Sequence, residues 1–146
     1  MKPVISVLLA FTLATSVGSA LAQSAPARTT LAFSDCIRTN QINEWHVVDS
    51  RTAIVRTGPY KRYLVNLQAD CQKLGIGNRG LIFIPSPADK AVGGRICGGV
   101  GEMVRARNQP PCGIQSVSLI SEDQFNSYRA KAKYHSVTTQ QPVKNP

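Results

Sequence analysis

Apolar and polar positions in the middle of the chain fall into short blocks separated by Gly and Pro, a pattern of strands rather than long helices. Residues 52–57 (TAIVRT) are β-branched, Gly58-Pro59 marks a turn, and residues 60–67 (YKRYLVNL) resume the pattern, which predicts a hairpin over 52–67. Within its second arm Tyr63, Val65 and Leu67 share one face, and Arg62, Leu64 and Asn66 the other. Trp45 with Val47-Val48 marks an earlier strand. A helical turn is expected over 69–74, ended by Gly75 and Gly77. Residues 81–84 (LIFI) form a continuous apolar run stopped by Pro85 and Pro87, the pattern of a strand buried on both faces. Residues 95–97, 102–107 and 114–120 are further strand candidates.

One helix is expected, at 122–133. Ser121 followed three residues later by Gln124 fits a capping box, with Glu122 and Asp123 in the first turn and Arg129, Lys131 and Lys133 near the end. Phe125 and Tyr128 lie on one face, with Ala132 four residues further. The expected fold is mainly β: a small antiparallel sheet or partly closed barrel, covered by a short C-terminal helix and stapled by disulfides.

The N-terminus reads differently. Lys2 is followed by an apolar stretch over 4–17 and by Ala20-Leu21-Ala22, the pattern of a secretory signal peptide cut after Ala22. The expected organisation is a signal peptide at 1–22, a disordered leader at 23–34, one β-rich domain at 35–133 and a disordered tail at 134–146. At 146 residues the chain has room for one domain and none for a multidomain enzyme.

An even set of four cysteines in an exported chain reads as two disulfides. No C-x-x-C pair or finger-like His spacing accompanies them, so neither a metal nor another cofactor is expected. If the sheet curls toward closure, the first and last strand regions become neighbours. That topology pairs Cys36 with Cys112, while Cys71 and Cys97 flank the LIFI segment and pair to pin its two connections.

Phosphate-loop, dinucleotide-binding, serine-hydrolase and zinc-protease motifs are absent. Glu44 and His46 flank Trp45, and on a strand they share a face. With nearby Arg side chains they offer a base, an acid and a phosphate clamp, the parts of a ribonuclease-like hydrolase. His135 is a weaker second acid, because it is expected beside the tail.

Charge carries more. The chain holds 17 Lys+Arg against 8 Asp+Glu, a net charge of +9. Arg56, Lys61 and Arg62 crowd the hairpin, and Arg105 and Arg107 sit two apart on a candidate strand, hence on one face. These five are the expected ligand-binding residues, for an anionic envelope component or an envelope protein, with nucleic acid a less favoured partner. A basic surface also aids solubility by itself.

Several residues recur in a familiar order: Cys36-Ile37, Ile42, Trp45, Val47-Val48-Asp49, Tyr63-Leu64-Val65-x-Leu67, Cys71-x-x-Leu74, Ile82, Ile96-Cys97, an acid at Glu102, and Cys112-x-Ile114-x-x-Val117. From about Asp35 to Glu122 the chain resembles a domain-of-unknown-function family of small exported bacterial proteins with four cysteines. That family usually has Gly-Asp after the third cysteine, where this chain has Gly101-Glu102. The resemblance implies a periplasmic or secreted protein and brings no substrate, catalytic residue or cofactor. The combined reading is a non-enzymatic basic binding domain; the alternative is the small secreted hydrolase acting through Glu44 and His46.

Overall fold

The computed structural model describes residues 28–76 and 80–136. The expected signal peptide at 1–22 lies outside the described residues, as do residues 23–27 of the expected leader and 137–146 of the expected tail. In chain order the elements are β1 (Ile37–Arg38), β2 (Ile42–Asp49), β3 (Thr52–Thr57), β4 (Lys61–Leu67), β5 (Leu81–Ile84), α1 (Pro87–Ala91), β6 (Arg95–Ile96), β7 (Met103–Ala106), β8 (Cys112–Leu119), α2 (Glu122–Lys131) and β9 (Tyr134–His135). Seven strands form an antiparallel half-barrel in the order β5-β7-β8-β4-β3-β2-β9, and β1 pairs with β6 in a separate ribbon. The fold is mainly β with a short C-terminal helix, as the alternation of apolar positions implied. Among the described residues no helix is long and apolar enough to cross a membrane.

The hairpin β3–β4 forms in the expected place. Ala53 faces Val65 and Val55 faces Tyr63, so the β-branched and aromatic positions meet across the ladder. Gly58 takes φ +58 in the connecting turn, a backbone conformation that a side chain disfavours. Trp45, Val47, Tyr63, Val65, Leu67, Val104, Ile114 and Val117 line the inner face and form the core, closed by Ile37 and Ile96 from the ribbon. The capping box of α2 is complete: Ser121 Oγ accepts from Gln124 N–H, and the Gln124 side chain accepts from Ser121 N–H.

Helix α2 lies on the other face of the sheet and seats Phe125 there. Strand β3 therefore buries both faces at its centre: Ala53 and Val55 point into the core, and Ile54 is covered from the opposite side. This role had been expected of LIFI. Instead β5 is the terminal strand of the sheet, with Phe83 buried and Ile82 38% exposed. Its residues alternate in burial, with Leu81 and Ile84 half-buried, so its apolar run does not report double burial.

The disulfides join Cys36 to Cys97 and Cys71 to Cys112, and so correct the expected pairing. Strand β1 pairs with β6 and not with β8, where Cys112 stands. Strand β8 inserts between β7 and β4, and Leu67 pairs with Ile114, which carries Cys71 to Cys112. The β1–β6 ribbon carries Cys36 to Cys97.

Contacts with the sheet also lie outside residues 35–133. Leu31 N–H donates to Cys97 O, and its side chain packs on the core. At the other end, Tyr134 and His135 add strand β9 to the edge of β2. The helix α1, absent from the sequence expectation, starts with Ser86 as N-cap and Pro87 in its first turn.

Candidate functional site

Two cross-strand rows build the outer face beneath α2. In the first, Glu44 of β2 faces Arg56 of β3, which faces Arg62 of β4. In the second, His135 of β9 faces His46 of β2, which faces Ile54 of β3 and then Leu64 of β4. The period of two residues along β2 puts Glu44 and His46 on this face, as the sequence spacing required.

These groups form a connected chain. His46 Nε2 lies 2.8 Å from Glu44 Oε1, and His46 Nδ1 lies 2.8 Å from His135 Nδ1. Arg56 Nη2 is 2.6 Å from Glu44 Oε2, and Arg129 Nη1 reaches Glu44 Oε1 at 3.4 Å. Phe125 closes the site from above, its ring 5.8 Å from that of His46 and edge-on to it. Glu44 and His46 are buried, whereas the side chains of Arg56 and Arg129 are 36% and 49% exposed and His135 is exposed.

Burial alone would raise the Glu44 carboxyl. The hydrogen bond with His46, the Arg56 charge, the His46 charge and the Arg129 bond outweigh it and hold the carboxyl below its ordinary value. His46 is held below the ordinary imidazole range, first by burial and then by the adjacent His135 and Arg129; the Glu44 bond and charge oppose this without cancelling it. Glu44 is thus ionised and His46 neutral at pH 7.

Three of the five cations expected to bind ligand meet carboxylates from different elements. Arg56 is bound to Glu44, Lys61 contacts Asp35 Oδ1 at 3.0 Å, and Arg62 contacts Glu122 Oε2 at 3.1 Å. Arg105 stands in the middle of β7 with its Nε buried and without a hydrogen-bond partner. Strand β7 ends at Ala106, so Arg107 lies in the following turn, exposed, and does not continue the face of Arg105. Lys133, Asp49 and Asp70 line a cleft of about 260 Å³.

Sequence reasoning identified Glu44 and His46 but gave little weight to His135 and none to Arg129 in the same cluster. In the sequence His135 falls in the expected tail. Its strand has two residues, too few for any periodicity, and it is fixed by pairing with β2 alone. For Arg129 the four-residue spacing from buried Phe125 was the available signal.

A second buried acid organises a different region. Glu102 is fully buried and accepts from Cys97 N–H and Gly98 N–H, each at 2.7 Å. Burial pushes its carboxyl up; the backbone N–H groups of Cys97, Gly98 and Gly99 offset part of this, and Asp89 adds to the rise. This side chain pins the Gly-rich turn after Cys97 and is closed off from solvent, so it serves the fold. Among the described residues no group of three metal-type side chains converges.

No curated protein and no solved structure matches the chain. A family model does, over residues 1–136. With its four cysteines in two bridges and its half-barrel under a single C-terminal helix, the chain belongs to DUF6491, a family of unknown function.

Proposed function

We propose that this protein is an exported, periplasmic or secreted domain that binds an anionic component of the cell envelope without turning it over. The observation that carries the reading is the bracket Arg56–Glu44–Arg129. One buried carboxylate holds two partly exposed arginine side chains, which leaves one net positive charge on this face. Arg offers planar, forked donors suited to phosphate and carboxylate oxygens. The pairing of all four cysteines supports an oxidising compartment, and the sequence of residues 1–22 supports export.

The test is sedimentation of the full mature chain with vesicles of phosphatidylglycerol in phosphatidylcholine over a series of salt concentrations. Binding weakens with salt, and Arg129→Gln lowers affinity about fivefold, the effect of one basic residue near an anionic surface. Vesicles without anionic lipid give no binding. Absence of sedimentation with the anionic vesicles at low salt would sink the reading.

The Glu44–His46–His135 chain favours a second reading, the ribonuclease-like hydrolase, because a carboxylate behind an imidazole is the usual support of a general base. Turnover of RNA that disappears in both His46→Ala and His135→Ala would establish it; no His-dependent turnover removes it.

A further inference from the structure

The proton positions in the buried chain follow from its partners. An ionised carboxylate only accepts hydrogen bonds, so His46 carries its proton on Nε2 and donates to Glu44. Neutral His46 then has a bare Nδ1, and this atom can only accept. The facing nitrogen of His135, 2.8 Å away, must be the donor, so His135 carries its proton on Nδ1. The Nε2 of His135 is left with a free lone pair on an exposed residue.

The two imidazoles therefore respond differently to acid. A proton added to His135 Nε2 breaks no bond in the chain and strengthens the one to His46, since the donor becomes charged. A proton added to His46 Nδ1 sets two N–H groups against each other. The charged and titratable groups facing the pair are Glu44 from β2, Arg56 from β3 and Arg129 from α2. With both imidazoles neutral these sum to one positive charge, and protonation of His135 makes it two.

We propose that His135 is a contact residue for the anion and that binding is coupled to its protonation, the ligand group being the phosphodiester of an anionic phospholipid. This rests on the binding function proposed above and names its ligand chemistry. A tetrahedral phosphodiester presents two unesterified oxygens, one for the guanidinium of Arg129 and one for the Nε2–H of charged His135. The half-exposed guanidinium of Arg129 and exposed His135 lie open on the face, in keeping with a headgroup at a surface rather than a ligand enclosed in a pocket.

The untagged mature chain serves for the test, because its only two histidines are His46 and His135. Phosphatidylglycerol keeps its single charge between pH 5 and 7, so pH dependence belongs to the protein. Binding to vesicles containing this lipid is expected to be about fivefold tighter at pH 5 than at pH 7, the effect of one unit charge at about 4 Å in a water-like medium. His135→Gln removes that dependence. A second measurement needs no variant. Because coupling is reciprocal, saturation of the wild-type chain with the soluble headgroup glycerophosphoglycerol raises the pH midpoint of the His135 ring resonance by about 0.7. Vesicle binding without that movement overturns the phosphodiester contact and leaves only the general attraction of a basic surface. Equal affinity at the two pH values, or persistence of the dependence in His135→Gln, overturns the coupling while the binding function stands. No vesicle binding at either pH overturns both.

Discussion

Ile37 faces Ile96 across the β1–β6 ladder, and this one pair fixes the first disulfide. In an antiparallel register the next residues outward are Cys36 and Cys97, whose Cα atoms lie 4.5 Å apart. Non-reducing peptide mapping is expected to give fragments joining Cys36 to Cys97 and Cys71 to Cys112. The bridged residues are 61 and 41 positions apart. Chain entropy alone assigns about 4 kcal/mol to each closure, before native strain is subtracted. The double replacement Cys71→Ala/Cys112→Ala should cost about 2–5 kcal/mol in urea unfolding, and reduction of both bridges should unfold the domain. A fragment joining Cys36 to Cys112 would contradict the fold itself.

Gly98 and Gly113 distinguish a required glycine from a tolerant one. Gly98 has φ +91, and a Cβ there would lie 2.9 Å from the backbone nitrogen of Val117. Neither strain nor clash can relax without moving β8. The three atoms nearest a Cβ on Gly113 all belong to the end of the exposed Gln68 side chain, from 2.8 Å, and that side chain can swing away. Gly98→Ala is expected to cost about 2 kcal/mol or more, and Gly113→Ala about 1 kcal/mol, roughly the value of the Gln68 bond to Ile114 O. Denaturant midpoints of the two variants decide this, and an equal loss would refute the distinction.

The parts of this fold that could be read from the sequence are those fixed by near neighbours. TAIVRT, Gly58-Pro59 and YKRYLVNL specify a hairpin through β-propensity and one turn, and Ser121 with Gln124 caps a helix within a single turn. The meeting of Glu44 and His46 likewise needs only the two-residue period of a strand. Cysteine pairing, the edge position of LIFI and the docking of β9 depend on which strands become neighbours, and local pattern does not carry that. The partners of the hairpin cations were hidden for a related reason. Arg56, Lys61 and Arg62 are close in sequence, but each meets a carboxylate from a different element: Glu44 on β2, Asp35 before β1 and Glu122 on α2. Proximity of like charges in sequence said nothing about those partners. Ser86-Pro87, by contrast, carried a helix-start signal for α1 that the flanking prolines masked.

Glu102 replaces water for two backbone N–H groups that have no other acceptor in the turn after Cys97. Glu102→Ala strands both donors in the interior and should cost about 3 kcal/mol or more, since bonds to charged groups contribute roughly 1.5–3 kcal/mol each. Glu102→Gln keeps one acceptor oxygen and the shape, and should cost about half as much. The raised carboxyl also fixes a pH effect. The folded state holds the proton more tightly than the unfolded chain, so this contribution to stability is whole below the unfolded value of 4.5 and declines as pH rises through the raised folded one. Urea unfolding of Glu102→Gln should lack that decline; an identical pH dependence in both proteins would show that Glu102 is not its source.

His46 imposes the opposite slope at higher pH. Burial lowers its folded titration below the unfolded value of 6.5, so the unfolded chain binds the proton more readily. The stabilisation from neutral His46 is complete above 6.5 and is lost as pH falls through the lowered folded value. Glu44 adds its own loss further down. Its folded carboxyl is depressed, so its contribution is present above the unfolded value of 4.5 and disappears as pH drops through the folded one. The first effect is therefore separable: between pH 7.5 and 5 Glu44 stays ionised while His46 gains its proton on unfolding. Replacing His46 with Gln removes the titrating group while leaving an amide to bond Glu44. From pH 7.5 to 5 the wild-type chain should lose stability in urea unfolding relative to His46→Gln. A difference between the two that stays constant over this range would show that neutral His46 is not what the buried Glu44–His46–His135 chain requires.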